Sequence, residues 1–325
     1  MGIKTPERSD PFWKGIFMLQ KFVLRSKFSI ALFVCFLPAF FFTTPFGLHA
    51  KSAAVQQTSK SCLWTVQTPS NKIYLLGSLH LLKPEDYPLS ASMNKAYAES
   101  QMVVFETDLE AMQQPAMLMK IQQMGLYPQG ENLLQNLDPN TRKGLEKKLA
   151  DLGLPLEIYV RLKPWLVATD LAVQELKKLG FNPIYGVDVY FFNKAKADGK
   201  QIGFLEPVEF QINLLGNLDK QAQNDFLSQT LKDLEVVNVL AMDLIESWKN
   251  GDARKLHELL NESFKDYPDL HERLLIQRNK NWVKEIEGAM GKNKNVLFVV
   301  GAGHLVGPQS VIDLLEKKGY RAKQQ

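Results

Sequence analysis

Two stretches of the chain share one hydrophobic pattern, Ile73-Tyr-Leu-Leu-Gly77-Ser-Leu-His80 near its start and Val296-Leu-Phe-Val-Val-Gly301-Ala-Gly-His304 near its end. Each is a short run of apolar, β-branched or aromatic residues that stops at Gly-x-x-His. Such runs, bounded by glycine, predict strands covered on both faces, as in a parallel sheet. The polar stretch Thr68-Pro-Ser-Asn71 predicts a turn between strands over 62–67 and 72–76, so a hairpin opens the domain. Further strands are predicted at Met102-Val-Val-Phe-Glu106 and Gln201-Ile-Gly-Phe-Leu-Glu206, and both end in a carboxylate.

Between the strands the pattern is helical. Helices are predicted over 90–100, 116–124, 139–152, 155–160 and 164–179, with proline at several first-turn positions where its missing N–H does no harm. Asp188 reads as the N-cap of a helix running to Ala197. Residues 207–290 read as helical, broken near Gly216, Gly251 and Tyr267-Pro268, and a last helix spans 308–318. Strands at both ends of a long helical middle predict an α/β fold with a mixed β-sheet, in which the two strand-Gly-x-x-His halves are pseudo-duplicated and the helices form a cap.

The amino-terminal pattern is different in kind. Lys14, Lys21, Arg25 and Lys27 precede an apolar run from Phe28 to Phe42, and small residues follow near Ala50 and Ala54, the layout of a secretory signal. The expected organisation is a signal peptide over 1–50, a linker over 51–60 and a single domain over 61–325, with a secreted or periplasmic location. The run is short beside the roughly 20 apolar residues of a membrane span, and Pro38 interrupts it. Because Leu48 suits a cut after Ala50 poorly, an uncleaved N-terminal anchor is the alternative, and it is the sole membrane contact expected.

Composition then changes its meaning. The chain carries 39 Lys and Arg against 35 Asp and Glu; residues 1–50 hold six of the former and two of the latter, leaving 33 of each sign. A neutral domain lacks the basic surface on which nucleic-acid binding rests, so no nucleic-acid partner is expected. Of two cysteines, Cys35 falls in the signal and Cys62 stands alone, which leaves no internal disulfide.

The candidate chemistry gathers at the strand ends. His80, Glu106 and His304 each lie directly beyond an apolar strand, and two imidazoles with one carboxylate are a common ligand set for a catalytic divalent metal. Gly77 and Gly301 let the backbone turn sharply there. Glu206 and Asp188 are weaker candidates: Glu206 precedes Pro207 and serves a helix start equally well, and Asp188 serves as a cap. His257 and His271 sit on polar helices and are expected to face solvent. Tyr190-Phe191-Phe192 are expected in the core, and Met112, Met117, Met119 and Met124 form a flexible apolar cluster.

Leu63-Trp64, Leu75-Leu-Gly-Ser-Leu-His80, Val104-Phe-Glu106, Tyr185-Gly-Val-Asp188, Leu205-Glu206, Arg278-Asn279 and Val300-Gly-Ala-Gly-His304 together resemble the TraB/GumN family, also written TraB/PrgY/GumN and related to the TIKI metalloproteases. The likeness runs from about 62 to 318. It implies a fold shared with erythromycin-esterase-like and ChaN-like proteins, and both histidine motifs at one active site. It further implies His80, Glu106 and His304 at a metal site, Glu106 as ligand or general base, and Arg278 with Asn279 as catalytic groups, the arginine polarising or binding substrate. The expected activity is that of a metal-dependent hydrolase, a peptidase acting on peptide or protein, with Mn, Co, Zn or Fe as cofactor. Two alternatives stay open: a non-catalytic protein of the same fold that binds metal, haem or peptide, and a metal-independent, esterase-like hydrolase using a histidine base.

Overall fold

The strands are β1 (Leu63–Gln67), β2 (Lys72–Ser78), β3 (Met102–Phe105), β4 (Gln201–Phe204), β5 (Val296–Gly301) and β6 (Ala322–Gln324). They pair in the order β4-β3-β5-β2-β1-β6. The pairs β2–β5, β5–β3 and β3–β4 are parallel, and β1 lies antiparallel between β2 and β6. This is a mixed sheet in a mixed α/β protein. The structure is a computed structural model that describes residues 60–261, 264 and 267–325. The expected signal or anchor over 1–50, and all of the expected linker except Lys60, lie outside the described residues.

Fourteen helices are described: α1 (Ala91–Glu99), α2 (Leu109–Met112), α3 (Pro115–Gly125), α4 (Pro139–Leu152), α5 (Leu156–Tyr159), α6 (Pro164–Lys178), α7 (Val187–Ala197), α8 (Val208–Gly216), α9 (Lys220–Asp233), α10 (Val237–Lys249), α11 (Ala253–Asn261), α12 (Pro268–His271), α13 (Gln277–Ala289) and α14 (Val311–Lys317). Their ends follow local chemistry. Asp138 caps α4 by accepting from the N–H groups of Asn140 and Thr141, Pro139 fills its first turn, and Gly153 at φ 68° closes it. Among the described residues no helix is long and apolar enough to cross a membrane.

The middle of the sheet is dry. All six residues of β5, and β2 from Ile73 to Ser78, are buried, as continuous apolar runs require. Helix α7 packs on β3 and β4, where Phe192 meets Phe105 edge-on at 5.4 Å. Phe191 and Phe192 are core residues, as expected.

Several expectations need correction. Gly186, not Asp188, is the N-cap of α7; a Cβ there would lie 2.6 Å from the His80 carbonyl and 2.7 Å from Asp188 Oδ1, so only glycine lets the chain enter the helix so close to both. The last helix begins at Val311 rather than 308, because Ser310 Oγ caps it after a left-handed Gln309 at φ 58°. Arg321–Gln325, not expected as structure, contributes β6 at the sheet edge. His257 and His271 are half-buried rather than solvent-facing: the His257 ring lies against Gly307, and the His271 ring is 5.0 Å from Phe264. The expected break at Tyr267-Pro268 is there, and a π-helical stretch, Glu272–Ile276, follows it and leads into α13.

Candidate active site

The parallel register sets the site. Gly77 pairs with Val300 and Ser78 with Gly301, so β2 and β5 end side by side and deliver His80 and His304 to one region. The continuations differ: His80 lies in an irregular loop, whereas His304 ends a 3-10 turn over Ala302–His304. Gly77 is needed for close approach, since a Cβ would fall 2.4 Å from Cys62 Sγ and 3.1 Å from Ala302 Cα. Beyond β3 and β4 the chains stay paired, the Glu206 N–H donating to the Glu106 carbonyl at 2.9 Å, which sets both carboxylates at the same end of the sheet. The Gly301 N–H donates to Glu106 Oε1 at 2.6 Å.

Arg278, 1% exposed, lies between these groups. A guanidinium has five N–H donors, and all five are engaged. Nε donates to Glu206 at 3.0 Å; Nη1 to the Leu274 carbonyl and His304 Nε2, each at 3.1 Å; Nη2 to Glu106 Oε2 at 2.6 Å and Glu206 Oε2 at 2.9 Å. Burial opposes its charge, but Glu206 and then Glu106 more than offset that, and its pKa is raised. The expected role as a cation free for substrate or a developing oxyanion does not suit this arrangement, because a new acceptor has to displace an existing one. Arg278 instead clamps Glu106, Glu206 and His304 in place.

Two residues without an identifiable sequence signal complete the clamp. Trp282, one helical turn beyond Arg278, donates Nε1–H to Glu206 Oε1 at 2.8 Å and lies under the guanidinium with its ring centroid at 4.7 Å. Gln211 Nε2 donates to Glu106 at 3.2 Å and to Glu206 at 3.3 Å. Asn279 joins the site through His304, its Oδ1 lying 2.6 Å from Nδ1.

His80 and Asp188 form the other half. His80 Nδ1 is 2.8 Å from Asp188 Oδ2, both residues are buried, and His80 Nε2 has no hydrogen-bond partner. Burial by itself depresses the His80 pKa; the Asp188 charge and hydrogen bond, with Glu106 behind them, outweigh it, and the net shift is upward. Burial raises the Glu106 pKa, and Arg278, His80 and the Gly301 N–H counter this only in part. His80, Glu106 and Asp188 line a small cavity with Ser78, Thr107, Phe105, Leu109 and Val299, which leaves the centre of a water molecule about 10 Å³ in which to move. Such a space takes a water or an ion, and it is far too small for haem.

A resident metal fits part of this arrangement. Glu106 and Glu206 share the Arg278 guanidinium and Asp188 backs His80, so three buried carboxylates gather at a centre with one guanidinium, a carboxylate-rich surrounding that suits a divalent cation. His80 Nε2 is an unpartnered lone-pair atom on a ring whose Nδ1 is held by a carboxylate, as the free nitrogen of a metal-bound histidine commonly is. Glu106 Oε1 accepts only from Gly301 and retains lone-pair capacity. His304 differs, because its Nε2 is occupied by Arg278 and lies 4.0 Å from Glu106 Oε1. Among the described residues no group of three or more His, Cys, Asp or Glu side chains is placed to hold a metal ion.

Fold and centre define a mixed α/β protein with a buried His–Asp and Glu–Arg–Glu–His constellation at the carboxyl ends of its parallel strands. The chain belongs to the TraB/PrgY/gumN family, whose profile matches residues 62–324. It is similar to Metalloprotease TIKI2 of Danio rerio, at 26% identity over 82% of this chain and 61% of the relative. It is also similar to Metalloprotease TIKI1 of Homo sapiens, at 23% identity over 82% of this chain and 62% of the relative. A third relative, Uncharacterized protein YbaP of Escherichia coli strain K12, is 24% identical over 77% of this chain and 90% of that protein. The chain thus spans less than two thirds of the length of the TIKI relatives. No solved structure matches it, so the expected kinship with erythromycin-esterase-like and ChaN-like folds rests on the sequence resemblance.

Proposed function

We propose that this chain is a metal-dependent peptidase working at the centre beyond β2, β3 and β5. The observation that supports it is a cluster of three buried carboxylates beside an imidazole nitrogen that has no partner; the names of the TIKI relatives point the same way. His80 Nε2 and Glu106 Oε1 are the donors that would hold the ion. When bound, a divalent cation supplies Lewis acidity that brings a water's pKa toward neutrality.

The protein's own groups do the remaining work. Asp188 fixes the His80 ring and favours the tautomer with its proton on Nδ1, which leaves Nε2 as a lone pair. Arg278 compensates Glu106 and Glu206 and holds both carboxylates still, so neither has to reorganise during reaction. The apolar walls Phe105, Leu109 and Val299 keep the surrounding dielectric low. Secretion or a periplasmic location belongs to this proposal and rests on the pattern of residues 14–42.

The test is metal analysis of purified full-length protein together with cleavage of a mixed peptide library, read by mass spectrometry. His80→Ala and Glu106→Gln are expected to lose both metal and cleavage. A wild-type protein that takes up no Mn, Co, Zn or Fe and cleaves no peptide overturns the reading. The engagement of His304 by Arg278 favours one second reading, in which the His80–Asp188 pair acts as a general base without metal; cleavage that survives exhaustive chelation supports it.

A further inference from the structure

Among the described residues eight buried side-chain polar atoms lack a hydrogen-bond partner, and four of them, Ser78 Oγ, His80 Nε2, Thr107 Oγ1 and Asp188 Oδ1, belong to residues lining the one small cavity beside Glu106. Buried polar groups are nearly always paired, so orphans on residues that line one cavity mark a bound species rather than scattered imperfection. The cavity admits the centre of one water-sized body over about 10 Å³, close to the least space that holds a water, and two to four polar partners are what a buried water requires. Ser78 and Thr107 are at most 1% exposed, so neither hydroxyl finds a partner in bulk solvent.

We propose that Ser78 and Thr107 are positioning residues for the attacking water: in the metal-free protein their hydroxyls hold one water in this cavity, beside the His80 and Glu106 atoms that would hold the ion. Sequence placement makes this economical. Ser78 is the last residue of β2, two before His80, and Thr107 directly follows Glu106, so the strand ends that present the imidazole and the carboxylate present the hydroxyls too. A hydroxyl donates and accepts at once, which lets two of them fix a water's oxygen and still leave one of its lone pairs for attack. The role rests on the hydrolase reading given above; the water's seat does not.

The experiment has two readouts on the full-length chain. A high-resolution crystal structure of the metal-free protein is expected to show one ordered water within hydrogen-bond distance of Ser78 Oγ and Thr107 Oγ1, absent from Ser78→Ala combined with the near-isosteric Thr107→Val. In peptide cleavage Thr107→Val is expected to lower kcat on the order of 100-fold with KM unchanged, and Thr107→Ser, which keeps the hydroxyl, to recover most of it. A dry cavity overturns the seat. A Thr107→Val protein that cleaves as fast as wild type overturns the positioning role, and one that also melts at a higher temperature behaves as a merely unsatisfied hydroxyl would. If the wild type cleaves nothing, the hydrolase reading and the catalytic role fall together, while the crystal structure still decides the seat.

Discussion

Arg278 Nη1 lies 3.1 Å from Nε2 of His304, and that contact decides where the imidazole carries its proton. A guanidinium can only donate, so Nε2 accepts and the proton sits on Nδ1, donating to Asn279 Oδ1 at 2.6 Å. The Asn279 carboxamide is itself oriented, its Nδ2 donating to the Gln309 carbonyl at 2.9 Å. Consecutive residues of one helix therefore hold both nitrogens of one ring.

From this follows a spectroscopic prediction. Burial first, then the charges of Arg278 and His80, hold the His304 pKa well below the usual histidine range. Nitrogen-15 NMR of histidine-labelled, metal-free protein is expected to show His304 neutral with its proton on Nδ1 throughout pH 6 to 8, and Asn279→Ala to blur the tautomer preference. An imidazolium signal from His304 at pH 6 contradicts the assignment.

The same geometry makes Arg278 irreplaceable by lysine. An ammonium offers three donors from one point and cannot reach Glu106, Glu206, the Leu274 carbonyl and His304 together. Removing one partner of a buried ion pair typically costs about 3–5 kcal/mol, because a charge is left uncompensated. Arg278→Met is expected to lose about that much in urea unfolding, and Arg278→Lys a smaller part of it. An Arg278→Lys protein as stable as wild type would show that the fork geometry is immaterial.

At Gly77 the constraint is steric. An added Cβ meets Cys62 Sγ at 2.4 Å and the Ala302 backbone at 3.1 Å, and Cys62 is fully buried with its thiol pKa pushed up by that burial. Gly77→Ala is expected to cost about 1–3 kcal/mol by overpacking. Cys62→Ala in the same chain is expected to return only part of this, since the sulfur clash is relieved and the Ala302 contact stays. Thermal unfolding of the two variants and their double mutant gives the coupling directly. Additive losses would mean that the sulfur is not the obstacle.

These residues also show what the sequence made legible. The β2 and β5 runs are apolar throughout because both faces are covered, so strand identity and the parallel pairing that brings His80 and His304 to one end of the sheet follow from local pattern. Glu106 and Glu206 were visible as the residues on which two strands stop. The partnerships were not. Asp188 reads as a cap by its position near a helix start, and its bond to His80 spans 108 residues, a distance that no local rule covers. Trp282 and Gln211 are read as ordinary helix residues until the fold sets them against Glu206. The π-helical turn before Arg278 depends on packing, and Ala322-Lys-Gln324 carries no alternation because an edge strand buries little.

Asp138 carries a prediction away from the site. Its carboxylate accepts from Thr141 Oγ1, from the Thr141 and Asn140 N–H groups and from Asn224 Nδ2, joining the start of α4 to α9. The Thr141 hydroxyl, then its N–H and Asn224, hold the Asp138 pKa down to about 2, from an ordinary value of 3.8. A folded pKa below the unfolded one means that the unfolded chain binds the extra proton. The contribution is therefore complete above about pH 4 and lost as pH falls from there toward 2. Replacing an N-cap aspartate by alanine typically costs about 1 kcal/mol. Asp138→Ala is expected to lose roughly that much at pH 7 and to show no gap from wild type near pH 2, in denaturant unfolding followed by circular dichroism. A gap that stays constant over this range would assign the contribution to packing rather than to the charged cap.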